Sequence, residues 1–180
     1  MTIFVTGGCK NGKSTYALDQ AARLGDHRPR YYIATLAPQD DEQWQCVRRH
    51  REAREGLDFL TVECPRFLLS SLENTDRNGV FLLDSVTALL TNEMFLADGT
   101  MNPAAVNRII RDLDAFLTAV RHAVIVSDYI YSDGMDYTRT TRAFGKALAR
   151  IDCFLAQRCD CVVEVCGGIP IIHKNHIDMK

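Results

Sequence analysis

The chain carries no excess of either charge: 21 Lys and Arg stand against 23 Asp and Glu, for a formal net charge of −2, and the basic residues are spread along it. Nothing in that balance matches a phosphate backbone, so no nucleic-acid partner is expected and any basic site must be local. No run of about 18 uncharged apolar residues occurs, so no membrane-spanning helix is expected. The seven cysteines are odd in number and form no Cys-x-x-Cys pair, which fits reduced cytosolic thiols better than a secreted disulfide framework. Cys159, Cys161, Cys166 and His173 match no common zinc-ligand spacing, and the thiols are expected in the core. The opening apolar run, Ile3-Phe4-Val5, meets Lys10 and Lys13 too soon to hold a signal-peptide core, so a cytoplasmic location is expected. Repeats, low-complexity tracts and Pro/Ser-rich linkers are missing too. With 47% hydrophobic residues, residues 1–180 are expected to form one domain around one core.

What is present is an alternation of strand-length apolar runs with longer segments of helical period. The spacing predicts strands at Ile3–Thr6, Tyr31–Thr35, Phe59–Glu63, Val80–Asp84, Val124–Asp128, Cys161–Val165 and Ile169–His173. It predicts helices at Lys13–Leu24, Asp41–Glu55, Pro65–Leu72, Val86–Leu96, Pro103–Ala119 and Arg139–Arg158. Most of the strands are apolar without alternation, as strands buried on both faces are, so the fold class is α/β: a mostly parallel central sheet with helices on both faces. Tyr129–Thr138 follows a strand without a period of its own and reads as a loop over the site.

Gly7-x-x-x-x-Gly12-Lys13-Ser14 leaves a predicted strand and opens a predicted helix, the context that a working phosphate loop needs. Gly7, Gly8 and Gly12 allow backbone conformations that a Cβ would block, so successive N–H groups can curl around phosphate oxygens. Cys9, Lys10, Asn11 and Thr15 complete the expected nucleotide-binding loop. Lys13 offers a flexible point charge to the β- and γ-phosphates, and the Ser14 hydroxyl can ligate the magnesium that bridges them. Asp84, closing Val80–Asp84, is the second candidate magnesium residue, although an Asp there can equally cap the following helix. Asp128 closes the next strand in the same way and is a weaker acidic candidate. ATP or GTP with Mg²⁺ is the expected ligand.

In the second predicted helix, His50 stands among Arg48, Arg49 and Arg51, with Arg54 one turn on along the same face. Nearby cations favour a neutral ring whose free nitrogen can attack an α-phosphorus, while Arg54 can hold the displaced phosphates. The same spacing describes a solvated basic helix face, and spacing alone leaves both readings open.

An ordered series of segments then points further. It runs from Val5-Thr6-Gly7-Gly8 with Gly12-Lys13-Ser14, through Tyr32-Ile33-Ala34-Thr35 and Asp41-Glu42 leading to Val47 and His50. It continues with Leu82-Leu83-Asp84-Ser85, Thr91-Asn92, Gly168-Ile169-Pro170 and Lys174. The series resembles the bifunctional adenosylcobinamide kinase/adenosylcobinamide-phosphate guanylyltransferases of cobalamin biosynthesis nearly end to end. That resemblance implies a RecA-like P-loop fold, phosphorylation of a corrinoid alcohol, and transfer of GMP from GTP through a covalent guanylyl group on His50. It also implies a homotrimer whose neighbouring subunits help to enclose the site. The chain departs from the pattern twice. Asp128-Tyr129-Ile130-Tyr131 stands where Asn-Glu-x-Gly is common, and Arg150-Ile151-Asp152-Cys153 where Arg-x-Asn-Gln is. A P-loop kinase without the transfer step, and a nucleotide-binding subunit without turnover, are the alternatives.

Overall fold

A computed structural model describes residues 1–25, 27–131 and 135–176. Its strands are β1 (Thr2–Thr6), β2 (Arg30–Ala34), β3 (Phe59–Glu63), β4 (Val80–Asp84), β5 (His122–Val126), β6 (Cys161–Cys166) and β7 (Ile169–Asn175). They form one sheet in the order β3-β2-β4-β5-β1-β6-β7, parallel throughout except for the β6–β7 hairpin. The helices are α1 (Lys13–Leu24), α2 (Asp41–Glu52), α3 (Val86–Met94), α4 (Ala105–Ala119) and α5 (Arg139–Arg158).

Continuous apolar sequence and two-sided burial coincide in β1, β4 and β5, whose inner residues are fully enclosed. On one face α3, α4 and α5 bury Phe81, Phe116, Leu148 and Ile125 in the larger cluster. On the other, Ala17, Leu18 and Ala21 of α1 pack on Ile3, Val5, Leu82 and Val124. The two edges differ: β3 and β7 are largely exposed, leaving Leu60, Ile169, Ile171 and Ile172 in solvent. Helix α2 buries none of its residues, so the α1 face of the sheet is covered only in part.

Three expectations are corrected. Pro65–Leu72 is not an α-helix but a 3₁₀ turn over Leu68–Leu72, entered through Phe67 at φ 55°. The left-handed backbone at Phe67 interrupts any helix begun at Pro65, and the Phe67 N–H is taken by the buried Glu93 carboxylate at 2.7 Å. The strand expected at Val124–Asp128 runs from His122 to Val126: Ser127 still donates its N–H to Val5 O of β1, but Asp128 turns away to donate its N–H to Thr87 Oγ1. His122, expected in a loop, therefore opens that strand and meets Arg28. Of the loop expected over the site, 132–134 lie outside the described residues. Its first part is tied down, with Tyr129 N–H on Gly7 O at 3.2 Å and Tyr129 Oη on Glu164 at 2.8 Å.

Tyr131 lies along α5. Its Cβ covers Gly145, where an added Cβ would meet it at 3.4 Å, and its hydroxyl donates to Asp152 Oδ2 at 2.9 Å, two turns further on. Asp152 is 5% exposed and its Oδ1 has no hydrogen-bond partner among the described residues. The Ser127 hydroxyl lies close, short of a well-formed bond. Burial pushes this carboxyl up to about 6, against the opposing pull of Ser127 and Tyr131. A group whose folded pKa exceeds its unfolded one adds stability below the unfolded value, about pH 4, and loses it as pH rises through about 6. Asp152→Asn keeps an acceptor for Tyr131 and removes that loss. The variant is expected to exceed the parent by about 1–3 kcal/mol at pH 7.5 and by little at pH 4, measured by urea unfolding. Equal stability at both pH values would contradict the buried-acid assignment.

Candidate functional site

A cavity of about 790 Å³ opens at the carboxyl ends of β1, β2, β4 and β5, between α1 and the standing-off α2. Its floor is the phosphate loop. The backbone turns through positive φ at Gly7 (151°), Lys10 (57°) and Gly12 (86°), and Gly12 stands at the N-cap of α1 with no side chain capping it. The first-turn N–H groups thus keep their positive end for an anion. The turn between β6 and β7 braces the loop, with Gly168 N–H on Asn11 O at 3.2 Å. Cys9, Lys10, Asn11, Gly12, Lys13, Ser14 and Thr15 all line the cavity.

Lys13 is 5% exposed; its ammonium donates to Gly8 O at 2.6 Å and pairs with Asp128 Oδ1 at 2.8 Å. A buried cation requires such partners. Asp128 therefore faces the phosphate loop, as the sequence reading allowed, although it stands two residues beyond its strand.

Asp84 does not cap α3. Ser85 does, its Oγ accepting from Ala88 N–H at 3.3 Å. The Asp84 carboxylate instead receives the Tyr32 hydroxyl at 3.1 Å and lies 3.4 Å from His50 Nδ1, which is itself 3.5 Å from the Tyr32 oxygen. The Ser14 hydroxyl lies close to it, short of a well-formed bond. Burial holds this carboxyl above the usual range, with His50, Tyr32 and Ser14 opposing. Burial and then Asp84 push the Tyr32 hydroxyl far up, so it stays a donor. Ser14 and Asp84 offer a hard divalent cation two converging oxygen ligands, one of them an enclosed carboxylate lacking a strong permanent cation. The residues present fit magnesium.

Arg54 lines the cavity but is already engaged. Its guanidinium lies 3.6 Å from the centre of the Tyr32 ring, with Nη1 on His50 O at 2.8 Å and Nη2 on Thr61 Oγ1 at 3.4 Å. It holds the end of α2 and the face of Tyr32 rather than standing free for phosphate. Tyr32 is the residue that sequence reasoning passed over: it sits in the Tyr32–Thr35 segment, but nothing in its type or spacing says that its hydroxyl reaches both Asp84 and His50.

Residues 3–172 match the protein family described as cobinamide kinase / cobinamide phosphate guanyltransferase. The chain is 31% identical over 183 residues to the bifunctional adenosylcobalamin biosynthesis protein CobU of Salmonella typhimurium, covering 95% of this chain and 98% of that one. It is 29% identical over 182 residues to the protein of the same description from Escherichia coli, with coverage of 95% and 98%. Among solved structures it is similar to the flagellar accessory protein FlaH from Methanocaldococcus jannaschii, at 12% identity and TM-score 0.53, covering 98% of this chain and 79% of that one. It is also similar to a solved ATPase domain, at 13% identity and TM-score 0.54, with coverage of 98% and 77%. At such identities these structures bear on the fold alone, which is the RecA-like P-loop α/β fold.

Because Asp128 pairs with Lys13 at 2.8 Å, Asp128→Asn is expected to tighten nucleotide binding about threefold to tenfold in magnesium-free buffer, read by isothermal titration. Unchanged or weaker binding would mean that Asp128 is not the resting counter-ion. Lys13→Ala, which removes the cation outright, is expected to lower turnover by on the order of 10²-fold. A variant as active as the parent would remove the phosphate site.

Proposed function

The chain belongs to the cobinamide kinase / cobinamide phosphate guanyltransferase family, and on that footing we propose that this enzyme phosphorylates adenosylcobinamide with ATP or GTP and then transfers GMP from GTP to the product through a guanylyl-histidine. The observation that carries the reading is the orientation of His50: Nδ1 is turned onto Asp84 and Tyr32, in the same cavity as the phosphate loop.

In the kinase step, the loop's N–H groups and the Lys13 ammonium hold the β- and γ-phosphates while the aminopropanol hydroxyl attacks the γ-phosphorus, whose bond to the β,γ-bridging oxygen breaks to release the nucleoside diphosphate as the hydroxyl loses its proton. For Lys13 to reach them it leaves Asp128, whose carboxylate is then free beside the reacting hydroxyl. Ser14 and Asp84 are the residues that would hold magnesium, which supplies charge neutralisation at the bridging phosphate oxygens. Residues 7–15 serve this step together.

In the transfer step, Asp84 and Tyr32 occupy the Nδ1 side of His50, leaving Nε2 as the nucleophile for the α-phosphorus of GTP. The N–P bond forms as the bond to the pyrophosphate leaving group breaks. The corrinoid phosphate oxygen then attacks the same phosphorus and releases His50, so one difficult displacement becomes two easier ones. Arg54 contributes by fixing Tyr32 and the end of α2. The reading includes a cytoplasmic homotrimer of 180-residue units, in which the exposed Ile169, Ile171 and Ile172 of β7 are covered.

Incubation with GTP labelled at the α-phosphate should place acid-labile label on the parent protein and none on His50→Ala, which keeps transfer of γ-label from ATP to cobinamide. Tyr32→Phe should slow labelling about tenfold, a loss of roughly 1.4 kcal/mol consistent with one hydrogen bond to a charged group. Absence of label from folded, magnesium-loaded parent protein removes the transfer step.

A further inference from the structure

One side chain at the cavity has no part in the chemistry above. Trp44 is the only tryptophan of the chain. It is 47% exposed, and it lines the cavity together with Leu36, Pro38, Val47 and His50. Among the described residues, no aromatic ring or cation stacks on it. Its backbone is fixed nonetheless: the Trp44 N–H donates to Asp40 O at 3.0 Å, and Asp40 caps the same turn through Gln43 N–H at 2.8 Å. A large, half-exposed indole on a fixed stretch of backbone at the wall of a cavity is an incomplete stacking arrangement.

Its distance from the nucleophile gives the open face a use. Trp44, Val47 and His50 follow one another at intervals of three along α2, so the indole lies six residues, or about 9 Å of helix axis, from the imidazole. That span is comparable to the reach from an α-phosphorus across the ribose to the base of a single nucleotide. At the opposite end of α2 the groups are charged and occupied: Arg51 pairs with Glu63 at 3.5 Å, and Arg54 lies on Tyr32. The Trp44 end, with Leu36 and Pro38, is where an aromatic base finds apolar surface.

We propose that Trp44 is the platform on which the guanine base of GTP stacks while its α-phosphorus is presented to His50. It is a base subsite distinct from the phosphate loop, and it rests on the reading of His50 as the GMP acceptor. Base–aromatic stacking tolerates any base with a π-face, so the platform contributes affinity for the base as a whole, and discrimination for guanine falls to neighbouring polar groups.

A sole tryptophan makes the test direct. Titrating the His50→Ala protein, which cannot be guanylylated, with GTP in the absence of corrinoid should quench the intrinsic fluorescence saturably. In an otherwise unchanged protein, Trp44→Ala should weaken GTP about tenfold, Trp44→Phe should stay within about threefold of the parent, and affinity for inorganic tripolyphosphate should change less than twofold in both. Absence of quenching overturns the platform, as does equal weakening of tripolyphosphate, which would make Trp44 a purely structural residue. A Trp44→Ala variant with raised KM for the corrinoid and unaltered KM for GTP overturns it too, assigning the indole to the other substrate. The two readings fail separately: label on His50 without quenching sinks the platform, and quenching without label sinks the transfer step while retaining the base subsite.

Discussion

The cavity depends on β1 delivering a residue without a side chain to the edge of β6. At Gly7 a Cβ would lie 2.4 Å from the Val165 carbonyl oxygen and 3.2 Å from the Lys13 side chain. The bare Cα lets the loop leave the strand at once and lets the lysine stem cross over it. Lys13 thereby travels buried and surfaces only at its ammonium, where Gly8 O and Asp128 receive it. The order of the strands does the rest. Because β5, β4 and β2 follow β1 outward in that sequence, Asp128, Asp84 and Tyr32 come to stand side by side at the carboxyl ends, although 96 positions separate the first from the last in the chain.

Under the proposed chemistry Asp84 has two tasks: holding a cation for phosphoryl transfer and steadying His50 for nucleotidyl transfer. The geometry makes them alternatives. One oxygen already receives Tyr32 and faces His50, and the carboxyl as a whole is enclosed, so a cation drawing on the same oxygen weakens the hold on the imidazole. Two half-reactions sharing one carboxylate in one cavity are thereby favoured to proceed in turn.

The sheet and its helices were legible because burial on both faces writes an unbroken apolar run, and the phosphate loop because its glycines, lysine and serine each answer a separate physical need. What escaped were contacts between distant positions. No periodicity tells that Tyr32 reaches Asp84, or that Arg54, placed correctly on the His50 face, would be spent on the Tyr32 ring. Pro65–Leu72 had helical composition, but a left-handed Phe67 whose N–H is claimed by the buried Glu93 carboxylate interrupts it. The two departures from the resembled pattern, distant in sequence, prove to meet: Tyr131 stands on Gly145 and donates to Asp152. Tyr131 in place of a glycine and Asp152 in place of an asparagine are thus one local arrangement along α5, on the far side of the sheet from His50, whereas Asp128 of the first departure reaches Lys13 in the cavity. Lys13, Ser14, Asp84 and His50 keep their places on the cavity side.

Helix α2 shows why a correct helix assignment can still miss what the helix is for. A surface helix ordinarily has an apolar stripe to lay on its sheet, whereas α2 offers Trp44, Cys46 and Val47 among charged residues and buries none of them. Its ends hold it: the Asp40 cap and the Gln39–Gln43 bond at one, the Arg54 contacts and the Arg51–Glu63 pair at the other. A helix anchored in that way leaves its inner face at a distance from β2, and the gap is the cavity. Under the proposed chemistry the packing partner absent from the sequence pattern is the substrate itself, and the same scarcity of apolar residues that made His50 resemble a solvated surface histidine leaves the cavity open beside it.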